Sequence, residues 1–261
     1  VALITASTAK LIVDDNSRIS LSNNEDGGTG GLDSTSGNTV FGYLAGYIDD
    51  GSINNTFIGH KVSAGSMANA EHNVGVGANA LLTLTSGSNN VAVGALAGDA
   101  ITTGELNVAI GGQALSAATT TGAHVAIGFQ SGNAYTTETG KSVSVGTYAN
   151  AVATGNYNVS VGFGAQRGTT SGANNVAVGF QALSSADGGG TALTGGGNVA
   201  VGYQAGFNLG GLANSNICIG AGAGNAATTQ DELVLIGDAA GDAINNDAAD
   251  GTIAIGHQSL T

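Results

Sequence analysis

The chain has 261 residues, of which 46 are glycine and none is proline or tryptophan, and its formal net charge is −13 at pH 7. Because 42% of the residues are apolar, this composition favours a folded chain over a disordered one. The absence of proline excludes collagen, and the five Lys and Arg residues are too few for a nucleic-acid partner or for attraction to an anionic membrane.

Residues 1–37 differ from the rest of the chain, and we expect them to form an N-terminal hairpin that caps the following domain or connects it to another. Two short apolar segments, around Ile12 and around Ile19, flank the polar turn at 14–17. The sequence begins at Val1 rather than at Met, so we expect a segment of a longer polypeptide. No apolar run approaches the roughly 20 residues needed to cross a bilayer, so we expect no membrane insertion.

Residues 38–261 consist of a short repeat, Asn-Val-Ala-Val-Gly or a close variant, which occurs thirteen times. Its closing glycines are spaced by 16 to 19 residues with one interval of 23, and we expect them to form turns, as at Gly94, Gly111, Gly128, Gly179 and Gly202. Seventeen residues give a contour of roughly 56 Å, enough for short strands and corners but not for a helix. The repeat predicts an all-β parallel solenoid of about 13 coils of about 17 residues, with the long interval forming a surface loop around 187–191.

The second and fourth positions of the repeat are nearly always β-branched, which is typical of a buried strand face. We therefore expect these two positions to form the interior of the solenoid. The clearest examples are Val91, Val93, Val108, Ile110, Val125, Ile127, Val176, Val178, Val199 and Val201.

The third position points to the opposite face of the strand and is never charged. A strand face in water normally carries charged and polar residues, so a small, uncharged column indicates that another surface approaches it closely. We expect this column to form the subunit interface of a homotrimer. Its members include Ala92, Ala109, Ala126, Ser144, Ser160, Ala177, Ala200 and Cys218.

The first position is Asn in nine of the thirteen copies, while His124, Ser142, Leu233 and Thr252 take its place in the others. Asparagines stacked along the axis of a solenoid can bind one another through their amides. We therefore expect a hydrogen-bonded amide ladder at this corner.

The units Asn90-Val-Ala-Val-Gly94, Asn107-Val-Ala-Ile-Gly111 and Asn175-Val-Ala-Val-Gly-Phe-Gln-Ala-Leu183 resemble the repeats of bacteriophage tail fibres and the head repeats of trimeric autotransporter adhesins. The resemblance covers about residues 38–261 and is greater to the phage fibres, whose unit is longer. It implies a left-handed parallel β-roll, a trimer, and a place in an extracellular or virion fibre.

Several residues allow other chemistry to be considered. A polysaccharide hydrolase needs two carboxylates about 5 to 9 Å apart in a cleft, and adjacent carboxylates occur at Asp14-Asp15, Asp49-Asp50 and Asp231-Glu232. The four histidines, His60, His72, His124 and His257, share no common spacing, and we expect no catalytic, metal or cofactor site. The single cysteine, Cys218, is expected to serve packing.

Aromatic residues follow the closing glycine in several repeats and are expected to form a structural ladder, although exposed rings could also stack on sugars. They are Tyr43, Phe129, Phe163, Phe180 and Tyr203. Sequence variation is concentrated in the turns at 47–53, 131–138 and 184–197, where Tyr47 or Tyr135 could reach a ligand.

These observations predict a non-enzymatic segment of a trimeric phage tail fibre, serving as a rigid shaft and in attachment to a host-surface glycan or protein. Two alternatives remain open: a bacterial surface adhesin or other extracellular filament, and a tailspike-like polysaccharide hydrolase. A membrane-anchor domain in the full gene would favour the adhesin, and turnover of host polysaccharide would favour the hydrolase.

Overall fold

A computed structural model describes residues 37–260 except 121, 136–140, 153, 185–191 and 245–248, together with the backbone of two short strands nearer the N-terminus. The loop expected around 187–191 lies outside the described residues. Those two strands, β1 (Ile12–Val13) and β2 (Ile19–Ser20), pair antiparallel, as the hairpin prediction requires. Among the described residues there is no helix with the length and hydropathy needed to span a bilayer.

Thirteen three-residue strands form one parallel sheet, and each strand is one copy of the repeat. The short length follows from the sequence, since only the second to fourth positions of the repeat are extended before the closing glycine. The strands are β3 (Thr39–Phe41), β5 (Thr56–Ile58), β7 (Val74–Val76), β8 (Val91–Val93), β9 (Val108–Ile110), β10 (Val125–Ile127), β11 (Val143–Val145), β12 (Val159–Val161), β13 (Val176–Val178), β14 (Val199–Val201), β15 (Ile217–Ile219), β16 (Val234–Ile236) and β17 (Ile253–Ile255).

The strands lie in the sheet in their order along the chain, so each coil contacts only the coils before and after it. The register is without offset, with Val91 opposite Val108 and Ala92 opposite Ala109. Two further strands, β4 (Ile48–Asp50) and β6 (Ser66–Ala68), pair in parallel on another side of the first coils. The chain is thus an all-β solenoid of about 12 turns, as the repeat predicted.

The prediction from the sequence assigns the two faces of the main sheet the wrong way round. The third position lies in the interior of the single chain and is buried in every strand from β5 to β17. It therefore cannot be the subunit interface expected above, and this correction covers Ala92, Ala109, Ala126, Ser144, Ser160, Ala177, Ala200 and Cys218, all with no exposed surface.

The second and fourth positions point outward. Their side chains are partly or largely exposed in every strand, so the interior predicted for them is also wrong. The correction covers Val91, Val93, Val108, Ile110, Val125, Ile127, Val176, Val178, Val199 and Val201.

The reason for the reversal is the small width of one coil. The chain crosses the interior opposite the strand so closely that a Cβ added at Gly206 would lie 3.7 Å from the Cβ of Ala200. A β-branched residue in place of Ala200 would have no space in this coil, whereas alanine fits. The residue three places after the closing glycine, such as Ala97 or Ala114, is buried on the facing side and is equally small.

Larger residues at the third position are accommodated by glycines across the coil. A Cβ added at Gly224 would lie 2.7 Å from the Sγ of Cys218, and one at Gly241 would lie 2.7 Å from the nearest methyl carbon of Leu235. These two side chains therefore have space because the residue across the coil has no side chain.

The closing glycines stack directly on one another. Gly111 has a φ of 128°, a conformation that favours glycine, and a Cβ added there would lie 2.6 Å from the carbonyl carbon and oxygen of Gly128. Both the conformation and the distance between coils therefore require glycine at the fifth position of the repeat.

Substituting Gly111 tests this requirement against a matched control at the last coil. Gly256 has nearly the same φ, 127°, but a Cβ added there meets no atom within 4 Å. Gly256→Ala should cost about 1 to 3 kcal/mol from backbone strain alone, and Gly111→Ala should cost clearly more because the next coil must also move. Thermal or urea unfolding measures both, and equal costs would show that the close stacking of the coils does not constrain this position.

Candidate functional site: the outer stripe and the asparagine ladder

The outward second and fourth positions of the thirteen strands form a continuous apolar surface, which we call the outer stripe. Thirteen strands about 4.8 Å apart make it about 60 Å long. None of its residues is charged, and apart from Thr39, Thr56 and Phe41 all are Val or Ile. Monomeric proteins rarely leave a continuous apolar surface of this size exposed.

The fourth position holds the more exposed side chains of the stripe within the sheet. Ile110, Ile127, Val201 and Ile219 are each 37% exposed, and most of what covers them is the same residue type in the coils above and below. Ile255, which has a neighbouring strand on one side only, is 67% exposed. No other part of the chain that the structure describes packs over these side chains as a second layer.

A run of aromatic rings borders the outer stripe at the residues that follow the closing glycines. Phe180 stacks on Phe163 with ring centroids 5.3 Å apart and on Tyr203 with centroids 5.4 Å apart. Tyr148 meets Phe129 and Phe163 edge to face, and the Arg167 guanidinium lies 4.8 Å from the Tyr148 ring centroid.

These contacts confirm the expected structural ladder. Phe163 and Phe180 stack on each other and Tyr148 contacts its neighbours edge to face, so contacts within the run use part of the ring surface that a sugar would need. Glutamines beside them also pair between coils, with Gln130 donating to Gln113 over 2.7 Å and Gln204 donating to Gln181 over 3.0 Å.

The expected asparagine ladder is present at the corner before the strand. The Oδ1 of Asn73 accepts from the backbone N–H of Asn90 at 2.9 Å and from its side-chain amide at 3.1 Å. The same amide of Asn90 donates to the carbonyl of Gly104 at 2.8 Å. Equivalent bonds link Asn38, Asn55 and Asn73 below it and Asn175, Asn198 and Asn216 further along. Each of these buried amides thus binds the asparagine of the preceding coil and a carbonyl in a turn of the following coil.

Two residues singled out in the sequence lie in unexpected places. Tyr135, expected at a turn where it could reach a ligand, is buried, with its hydroxyl near Ser144 and accepting from Asn150. His124 is also buried and stacks on Tyr135, with ring centroids 4.3 Å apart. Tyr47 is exposed, as expected.

The remaining candidates for chemistry are engaged in structural contacts or lie apart. The Asp231 carboxylate accepts the N–H of Asn214, and the Asp250 carboxylate accepts the N–H of Asp231, so both hold turns. Burial raises the pKa of the Cys218 thiol to about 12, which keeps it protonated and unreactive and fits its expected role in packing. Within the described ranges no three His, Cys, Asp or Glu side chains come close enough to share a metal ion. The pair Asp14-Asp15 lies outside those ranges.

Comparison with known proteins returns no matching family model, curated protein or solved structure. The functional argument therefore rests on the geometry of the outer stripe, on the ladders and on the resemblance of the repeat unit.

Replacing Asn90 by Asp tests the ladder with almost no change of shape. The carboxylate would place an oxygen without a proton against the Asn73 and Gly104 oxygens in a buried site, so Asn90→Asp should cost about 3 kcal/mol at pH 7. Asn89→Asp is the control, because Asn89 is exposed and in a left-handed conformation that Asp tolerates. Urea unfolding of both variants decides the matter, and similar stabilities would mean that the amide ladder contributes little.

Proposed function

We propose that this chain is a non-enzymatic structural segment of a trimeric fibre, extracellular or part of a virion, that acts as a rigid shaft and takes part in attachment to a host surface. The observation that carries the proposal is the outer stripe: an apolar surface that runs the length of the rod and has no covering layer within the described chain. The resemblance of the repeat to those of phage tail fibres supports a trimer and a place in an extracellular or virion fibre.

The outer stripe suits a partner with the same repeat. Its side chains recur at one spacing along the axis, so a parallel copy of the chain would place coil against coil over the whole length. Burying Val and Ile between copies is favourable at roughly 25 cal/mol per Å². The acidic residues lie outside the stripe, so the net charge of −13 per chain does not have to be buried in the contact.

The sheet of one chain is also suited to a shaft. Each coil binds its neighbours through in-register strands, stacked glycines and the asparagine ladder, and local contacts of this kind repeated along an axis give a rod whose length is set by the number of coils. The described residues offer a continuous wall rather than a deep cleft, which favours display and reach over catalysis.

Substitutions at two neighbouring residues of β9 test assembly and folding separately. Ile110 lies in the outer stripe, whereas Ala109 lies in the interior of the coil. Ile110→Glu should leave the circular dichroism spectrum of the fold intact and convert particles of about three times 25.0 kDa into single chains, while Ala109→Glu should prevent folding because it buries a charge.

Leu106→Glu is the matched control for an added carboxylate. Leu106 is an exposed turn residue with a φ of 61°, and Glu232 occupies the equivalent turn position with a φ of 60°. This variant should remain assembled in light scattering. A wild-type chain that stays monomeric at micromolar concentration would refute the homotrimer. A trimer unaffected by Ile110→Glu would show that the interface is not formed by the outer stripe.

Attachment to a host surface without cleavage of its polysaccharides is the second part of the proposal. Tyr43, Tyr47 and Tyr203 are more than half exposed, and three copies on one rod would raise a weak contact of a single ring to a useful avidity. The full-length fibre should bind host cells or their surface glycans and release no reducing sugar. Release of oligosaccharide would establish the hydrolase instead, and a fibre that binds without needing residues 38–261 would leave this segment as a spacer alone.

A further inference from the structure

The asparagine ladder is interrupted between Asn107 and Asn158, where His124 and then Ser142 replace asparagine, and it ends where Leu233 and Thr252 replace it. The His124 N–H still donates to Asn107 at 3.1 Å, but the next step uses the imidazole, whose Nδ1 accepts the Ser142 N–H at 3.4 Å. The Ser142 hydroxyl then accepts the N–H of Asn158 at 3.1 Å. An acceptor at Nδ1 requires the neutral ring to carry its proton on Nε2, which is buried and has no hydrogen-bond partner among the described residues.

The surroundings of the imidazole favour this neutral form. The ring is buried against Tyr135, and burial lowers the pKa of His124 from 6.5 to about 4. Burial also raises the pKa of the Tyr135 hydroxyl, which is therefore uncharged. The nearest charged side chains along the chain, Glu105 and Lys141, are exposed, and Glu138 lies outside the described residues. No described carboxylate faces the ring to stabilise an imidazolium.

This interruption lies where the apolar core of the rod is also interrupted. One cluster of buried apolar residues extends from Ala45 to Ala126 and Tyr135, and a second extends from Ala165 to Ala254. Between them the described interior is lined mainly by polar side chains, namely Ser131, Ser144, Asn150, Ser160 and Gln166, all without exposed surface, and Ala149 is also buried there. Neither the Oδ1 of Asn150 nor the Nε2 of Gln166 has a hydrogen-bond partner among the described residues.

Separating two coils in this polar stretch exposes less apolar surface than separating them elsewhere, and buried polar atoms without partners lower its stability further. We therefore expect this stretch to open more easily than the apolar coils on either side of it.

We propose that the step from His124 to Ser142 is an acid-sensitive break point, at which protonation of His124 Nδ1 removes the acceptor of the Ser142 N–H and opens the coil contacts of β11 and β12 while the two flanking apolar clusters stay folded. The proposal concerns the single chain and does not depend on the function proposed above.

The direction of the effect follows from the lowered pKa. The folded form binds the proton less well than the open form, so the stability of this stretch is complete above pH 6.5 and is lost as the pH falls from 6.5 towards 4. Between pH 7 and pH 4 the equilibrium constant for local opening should rise about a hundredfold.

Hydrogen exchange of the whole chain between pH 4 and pH 7, corrected for intrinsic rates, measures this opening coil by coil. At pH 4 the amides of β11 and β12 should lose about a hundredfold in protection relative to those of β8 and β15. His124→Asn, which restores the amide ladder, should remove this local pH dependence. His72→Asn, at an exposed turn position where asparagine also occurs as Asn54 and Asn89, should leave it unchanged.

Loss of protection that is uniform along the rod, or the same pH profile in His124→Asn, would overturn the proposal. Since His124→Asn also removes the contact with Tyr135 and could fail to fold, the ring of the unmodified protein provides a second measurement. Nitrogen NMR should show His124 as the Nε2–H tautomer at pH 7, titrating below pH 5. The Nδ1–H tautomer, or titration near pH 6.5, would equally overturn it.

Discussion

The narrow interior of each coil determines which side chains of the main sheet face inward and which face outward. With the two walls as close as they are at Ala200 and Gly206, most strands carry alanine, serine or glycine at the third position, and this small residue faces inward. Because side chains alternate along a strand, the two β-branched residues on either side of it have to face outward. A single chain therefore folds around a thin core and carries the β-branched side chains of its main sheet on the surface.

This arrangement links folding to assembly. The strands contribute mostly small side chains to the interior, to which the turns add larger ones such as Leu81, Leu115 and Leu183, and hydrogen bonds between coils supply many of the remaining contacts. The stacked glycines, the parallel strands and the buried asparagine amides all act between neighbouring coils. The hydrophobic groups left outside are then available for contacts between chains, which is where we place the subunit interface.

The regular elements of this fold could be predicted from the sequence because they repeat. The repeat period predicted the coils, the recurring Asn predicted the amide ladder, and the aromatic residues after the closing glycines predicted the ring contacts, all from spacing alone. The direction of the strand faces could not be obtained in this way, because hydrophobicity favours Val inside and only the distance across the coil excludes it. That distance depends on residues such as Gly206 and Ala200, whose proximity is a property of the folded coil.

The polar stretch shows the same distinction between local pattern and folded geometry. His124 and Ser142 in the asparagine column, and Ser144 and Ser160 in the alanine column, are visible as departures in the sequence, but the sequence does not show that Tyr135 turns inward to meet them. In a parallel, in-register trimer the three His124 residues would lie at one height along the rod. An interface formed by the outer stripe would then couple the three weak stretches, since opening one chain there would remove the outer-stripe residues of β11 and β12 from their contacts with the other two. Assembly would in this way stabilise the polar stretch at neutral pH, and acid would weaken all three chains at the same coils.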